Sequence, residues 1–160
     1  MPTTPWDIFG TDQSLEKTGV WLDYTDFKFK IASTGSGNEK YKRVLKLVFK
    51  PYERQVQQNL LGDEKAEELL IKVFAKSIVL DWWCSEWGDG TMWGPDKEQL
   101  AFSEDNVIKL FTSMPRMFEM VRDEAQRAEN FRQQEEDAAV KNSPRSSTTS
   151  SEQVETKPKS

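Results

Sequence analysis

A mainly α fold follows from three features of the sequence. Four stretches repeat their apolar residues at three- and four-residue spacing, polar or proline starts stand ahead of them, and one short run near the N-terminus alternates apolar with charged. The expected architecture is a small helical domain with an N-terminal β-hairpin and a disordered C-terminal tail. Residues 1–19 read as an arm, 20–141 as the mainly helical domain and 142–160 as the tail.

The hairpin comes first. Phe27, Phe29 and Ile31 alternate with Lys28 and Lys30, Val20-Trp21-Leu22-Asp23-Tyr24 precedes them, and Thr25-Asp26 supplies the turn. A lone hairpin is marginal in water, so it requires helices to pack on. Thr34-Gly35-Ser36-Gly37 reads as a flexible connector, after which Asn38 can cap a helix starting near Glu39. Tyr41, Val44, Leu45, Val48, Phe49, Tyr52 and Val56 form its apolar stripe, and Pro51 predicts a kink or two short helices around Lys50.

Gly62-Asp63 opens the next helix, with Glu64, Glu67 and Glu68 near its positive end. Ala66, Leu69, Leu70, Val73, Phe74, Ser77, Ile78 and Trp82 continue one stripe, so the spacing predicts a central helix from about Glu64 to Trp83. The stretch Cys84 to Asp96, with its three glycines and a proline, reads as a loop or an irregular hairpin. Ser103 then caps a short helix carrying Val107, Ile108, Leu110 and Phe111. Pro115 starts a last, long helix through Met117, Phe118, Val121, Ala125, Ala128 and Phe131. From Asn142 on, Ser, Thr, Pro and charges predominate, a composition expected to stay disordered.

Composition removes several function classes. The 160 residues suffice for one domain, and no apolar run approaches the length of a membrane-spanning helix. Met1–Gly10 lacks the basic flank and apolar segment of an export signal. One cysteine, Cys84, allows no internal disulfide and suits a reducing compartment. A net charge of -5 argues against nucleic acid as a partner, and a membrane partner is not expected either. The chain has no histidine, so the commonest general base and metal ligand are missing together.

Candidate chemical sites are thin. Glu86, Asp89 and Asp96 lack the alternate-position ligands and closing Glu of a calcium loop. Cys84, read as lying at a helix C-terminus, is at the wrong end of a helix for an activated nucleophile and reads as a buried or half-buried structural cysteine. No glycine-rich loop is followed by Lys-Ser or Lys-Thr. No catalytic residue, metal or cofactor is expected, and the protein is read as a non-enzyme.

Partner binding is the remaining candidate. Trp82, Trp83, Trp87 and Trp93 crowd into a dozen residues, more than one helical stripe can bury. They either pack the loop back onto the domain or present an aromatic surface to a partner. Met114, Met117 and Met120 invite the same comparison, with Met117 on the buried stripe and Met120 off it. These seven residues are the candidate partner-binding set.

Phe27–Ala32, Gly37-Asn38-Glu39-Lys40-Tyr41, Val79-Leu80-Asp81-Trp82, Asp89-Gly90, Phe102-Ser103-Glu104-Asp105-Asn106 through Leu110, and Pro115-Arg116-Met117-Phe118 follow one another along the chain. That order of parts resembles the tail assembly chaperones of tailed bacteriophages. The likeness spans about residues 20–132, and the Trp-rich segment and Ser/Thr-rich tail fall outside its pattern. It implies a non-catalytic late protein of the host cytoplasm, absent from the finished virion. Such a protein binds the helical, aggregation-prone tape measure protein and helps tail tube protein polymerise around it. A homo-oligomer is compatible with that reading. The alternative is an acidic DNA mimic or host-inhibitor binding protein, whose complex would weaken steeply with salt.

Overall fold

A computed structural model describes residues 2–132. The order is α1 (Pro5–Phe9), α2 (Gln13–Thr18), β1 (Val20–Asp23), β2 (Phe27–Ile31), α3 (Glu39–Phe49), a 3-10 turn over Lys50–Tyr52 and α4 (Glu53–Gln57). There follow α5 (Asp63–Ser77), β3 (Val79–Cys84), β4 (Gly88–Asp89), β5 (Thr91–Trp93), β6 (Gln99–Ala101), α6 (Glu104–Ser113), α7 (Pro115–Gln126) and a 3-10 turn over Ala128–Phe131. The tail expected over 142–160 lies outside the described residues.

The fold is mixed α/β, which corrects the mainly α expectation. A four-stranded antiparallel sheet runs in the order β1-β2-β3-β4, and β5 and β6 make a second, two-stranded sheet. The hairpin is therefore half of a larger sheet, and the helix expected to reach Trp83 ends at Ser77. Its last carbonyls meet a side chain, since Ser77 Oγ donates to the carbonyl of Val73 at 2.7 Å. Val79–Cys84, rich in β-branched and aromatic residues, then pairs with the open edge of β2. Cys84 is accordingly buried inside a strand, with Sγ 3.5 Å from Thr91 Oγ1, and lies at no helix end.

The mistaken period has a physical source. The register between β2 and β3 shifts between Lys30 and Ile31, which pair with Asp81 and Val79, so Leu80 is the extra residue of a bulge. Val79 and Trp82 both point inward, three residues apart, and with Ile78 they continue the helical spacing of α5 by coincidence. Gly19 makes room beside the bulge. At φ 93° it occupies a conformation open mainly to glycine, and a Cβ there would stand 2.7 Å from Leu80 Cδ1.

One aromatic core joins sheet and helices. The Phe29 ring lies 6.5 Å from Trp82 and 6.3 Å from Phe111, Phe111 lies 5.6 Å from Phe118, and Phe118 meets Phe74 edge-on at 5.2 Å. These residues come from β2, β3, α6, α7 and α5 and are all fully buried. The expected caps hold: Asn38 accepts from the Tyr41 amide, Ser103 from the Asn106 amide, and Pro115 opens α7. Pro51 breaks the segment after α3 into the 3-10 turn and α4. The last helix is shorter than expected, stopping at Gln126 before the final 3-10 turn that buries Phe131.

Hydrogen bonds from Asp12 and Glu16 help tie the N-terminal segment to the rest. Asp12 N–H donates to the Phe131 carbonyl at 2.7 Å. Glu16, only 5% exposed, accepts from Gly37 N–H at 2.8 Å, and its carbonyl accepts from Ser33 N–H. The connector Thr34–Gly37 is thus held in place rather than free, and a Cβ at Gly35 or Gly37 would collide with the Glu16 carboxylate.

Candidate partner-binding surface

The four-stranded sheet has an inner face and an outer one, set by strand alternation. Leu22, Phe29, Trp82 and Cys84 point into the core. Their neighbours Trp21, Asp23, Lys28, Lys30, Asp81 and Trp83 point the other way and are half-buried. Across the strands Lys28 stands opposite Trp83 and Asp23, and Lys30 opposite Asp81 and Trp21.

This register places one ammonium against two indoles. Lys28 Nζ lies 4.8 Å from the Trp83 ring centroid and 5.4 Å from that of Trp21. Each cation–π contact at such an exposed site contributes on the order of 0.5–1 kcal/mol. The effect is to hold two large apolar rings on a rigid sheet, with Asp23, Lys30 and Asp81 as a charged surround. Rigid, half-exposed indoles with few torsions to freeze are good anchors for an apolar partner.

The seven candidate residues do not form one surface. Trp82 is wholly buried, edge-on to Phe102 at 5.5 Å, and its Nε1 has no hydrogen-bond partner among the described residues, so it belongs to the core. Trp83 belongs to the outer sheet face. Trp87 and Trp93 form a separate half-exposed pair, 6.1 Å between centroids, and Trp93 Nε1 donates to Glu86 Oε1 at 2.6 Å. Met117 and Met120 are both half-buried against the core, and Met120 Sδ accepts from the Tyr24 hydroxyl. Met114, between α6 and α7, is 48% exposed.

Sequence reasoning missed Trp21 and Lys28. The signal was present in the alternation of β1 and β2, which sets Trp21 and Lys28 opposite to Leu22 and Phe29. It also passed over Trp6, Phe9, Leu47 and Leu60, all prominently exposed.

The electrostatics are local. Donation from the Thr4 backbone and hydroxyl holds the Asp7 carboxyl below its ordinary value, and backbone donation does the same at Glu98. Burial raises the Tyr41 phenol, partly opposed by Arg122. No group of three or more His, Cys, Asp or Glu side chains is placed to hold a metal among the described residues. What the outer face offers is stacking and apolar contact from two indoles, with the Lys28 and Lys30 ammonium groups and the Asp23 and Asp81 carboxylates around them.

The model of the YdaY prophage protein family matches residues 36–142. The chain belongs to that family. The match runs from just before α3 past the end of α7, so it takes in Trp83, Trp87 and Trp93 and leaves out Trp21 and Lys28. No curated protein and no solved structure matches the chain. This prophage protein is thus phage-derived, the broader half of the resemblance drawn from its motifs. No helix among its described residues is long and apolar enough to cross a membrane.

Proposed function

We propose that this prophage protein is a non-catalytic tail assembly chaperone that binds the tape measure protein, keeps it soluble and promotes polymerisation of tail tube protein around it. The observation that carries the reading is the outer sheet face, where Lys28 holds Trp21 and Trp83 half-exposed on a rigid support. Paired indoles of this kind suit the apolar stripe of an amphipathic helix, the form a tape measure protein takes. Phage origin and the ordered motifs from β2 to α7 support the same reading. The contact residues of this reading are Trp21, Lys28 and Trp83, with the Trp87–Trp93 pair following Trp83 in the sequence, while Trp82 lies in the core.

The DNA-mimic alternative has less to rest on. It needs ordered rows of carboxylates, whereas the outer face mixes Lys28 and Lys30 with Asp23 and Asp81, and α3 is basic. The test is co-expression with the tape measure protein of the same genome. Tape measure protein that becomes soluble and co-purifies is the expected result, and loss of both with Trp83→Ala would place the contact. Failure to see either rescue or a complex would overturn the proposal.

A further inference from the structure

Two exposed apolar patches on this chain differ in charge and rest on separate supports. The first is α1. Trp6 and Phe9, 79% and 74% exposed, lie at i and i+3 and so share one side of the turn. The turn is fixed in place: Thr4 and Asp7 cap it reciprocally, and Arg132 donates to the carbonyls of Ile8 and Gly10. Asp7 and Asp12 are the charged side chains of residues 2–12, which include no Lys or Arg, and the Arg132 guanidinium near Asp7 offsets part of their negative charge.

The second patch is on α3, which buries no residue completely although Tyr41 meets Phe74 of α5 edge-on at 6.2 Å. Leu47, 63% exposed, falls outside the side turned to α5. Lys40, Arg43 and Lys50, at i−7, i−4 and i+3, share its side of the helix. Residues 39–57 carry six Lys and Arg against two Glu, in a chain whose net charge is -5. Val56 in α4 and Leu60 after it are exposed as well.

We propose that α1 of one copy docks through Trp6 and Phe9 on the basic Leu47 side of α3 in a second copy. Indole and phenyl cover Leu47 while Asp7 meets the Lys40, Arg43 and Lys50 charges. Because α1 is already fixed, little ordering cost opposes the contact. The two patches differ, so the interface is head-to-tail and builds either a closed ring or an open chain with one free patch at each end.

Sedimentation of the full chain tests this, using Trp6→Ser/Phe9→Ser as the α1 variant and Leu47→Asp as the α3 variant. The wild type should associate with rising concentration, and each variant should weaken association by at least about tenfold. Mixed together, the two variants should form a 1:1 heterodimer that grows no further, since each retains the patch the other lacks. That mixture also shows that both variants are folded. Arg43→Glu, which leaves the apolar surface intact, should weaken association and reduce its dependence on salt. A wild type that stays monomeric at every concentration, association unchanged in the variants, or a monomer whose α3 binds DNA or anionic vesicles instead would overturn the proposal.

Discussion

Trp82 and Trp83 are consecutive residues of β3 with the same side chain and opposite surroundings. Trp82 sits at zero exposure among Phe29 and Phe102, whereas Trp83 lies half-exposed against the Lys28 ammonium. One residue of strand alternation separates a ring that holds the fold together from a ring available to a partner. Aromatic crowding in a sequence therefore has two components here, and only the register of β2 and β3 sorts them.

Substitutions on the inner side of the strand should act through stability, and those on the outer side through partner binding in a chain that stays folded. Trp82→Ala should have the largest effect, lowering unfolding free energy by about 3–5 kcal/mol through a large cavity in the aromatic core. Urea denaturation measures it, and a loss near that of Trp83→Ala would collapse the distinction between the faces. Gly37→Ala asks whether the buried polar contact is as unforgiving as the inner sheet face. The new methyl would collide with Glu16 Oε1 and stand 3.1 Å from the Gln13 backbone, so a loss of about 1–3 kcal/mol is expected. Glu16→Ala in the same background should recover part of that loss, and strictly additive effects would argue against the collision.

Trp83→Ala should cost clearly less stability than Trp82→Ala, because part of the Trp83 ring stays in water in the folded protein, while removing most of the partner binding. The smallest change is expected far from both faces. A folded-state value below the unfolded one makes the contribution of the Asp7 carboxylate present above the unfolded-state pKa and lost as pH falls through the folded-state pKa. Asp7→Asn should therefore be slightly less stable than wild type at neutral pH, with the gap closing on acidification. A gap independent of pH would show that the capping charge contributes nothing.

The sequence and the structure agree where local chemistry decides. Asn38, Ser103 and Pro115 mark their helix starts because each acts on backbone groups within a few residues of itself. The hairpin of β1 and β2 is legible for the same reason, since alternation and turn are local. β3 was not legible, because its place depends on β2, about fifty residues earlier in the chain, and the bulge at Leu80 gave its inward residues a helical spacing. Its β-branched and aromatic content was the opposing signal. The connector Thr34–Gly37 reads as flexible from its glycines, yet those glycines are there to admit Glu16. Of the candidate surface, Trp83, Trp87 and Trp93 were within reach of sequence reasoning, while Trp21 and Lys28 required the pairing of three strands.

The most direct test of the chaperone reading is a calorimetric titration of the purified protein with a soluble helical fragment of the tape measure protein, run in parallel on Trp83→Ala and Trp82→Phe. The account predicts saturable binding by the wild type and by folded Trp82→Phe, and binding at least about tenfold weaker for Trp83→Ala, the loss typical of one central aromatic anchor. Wild-type binding that Trp83→Ala leaves untouched, or no binding at all, would contradict it.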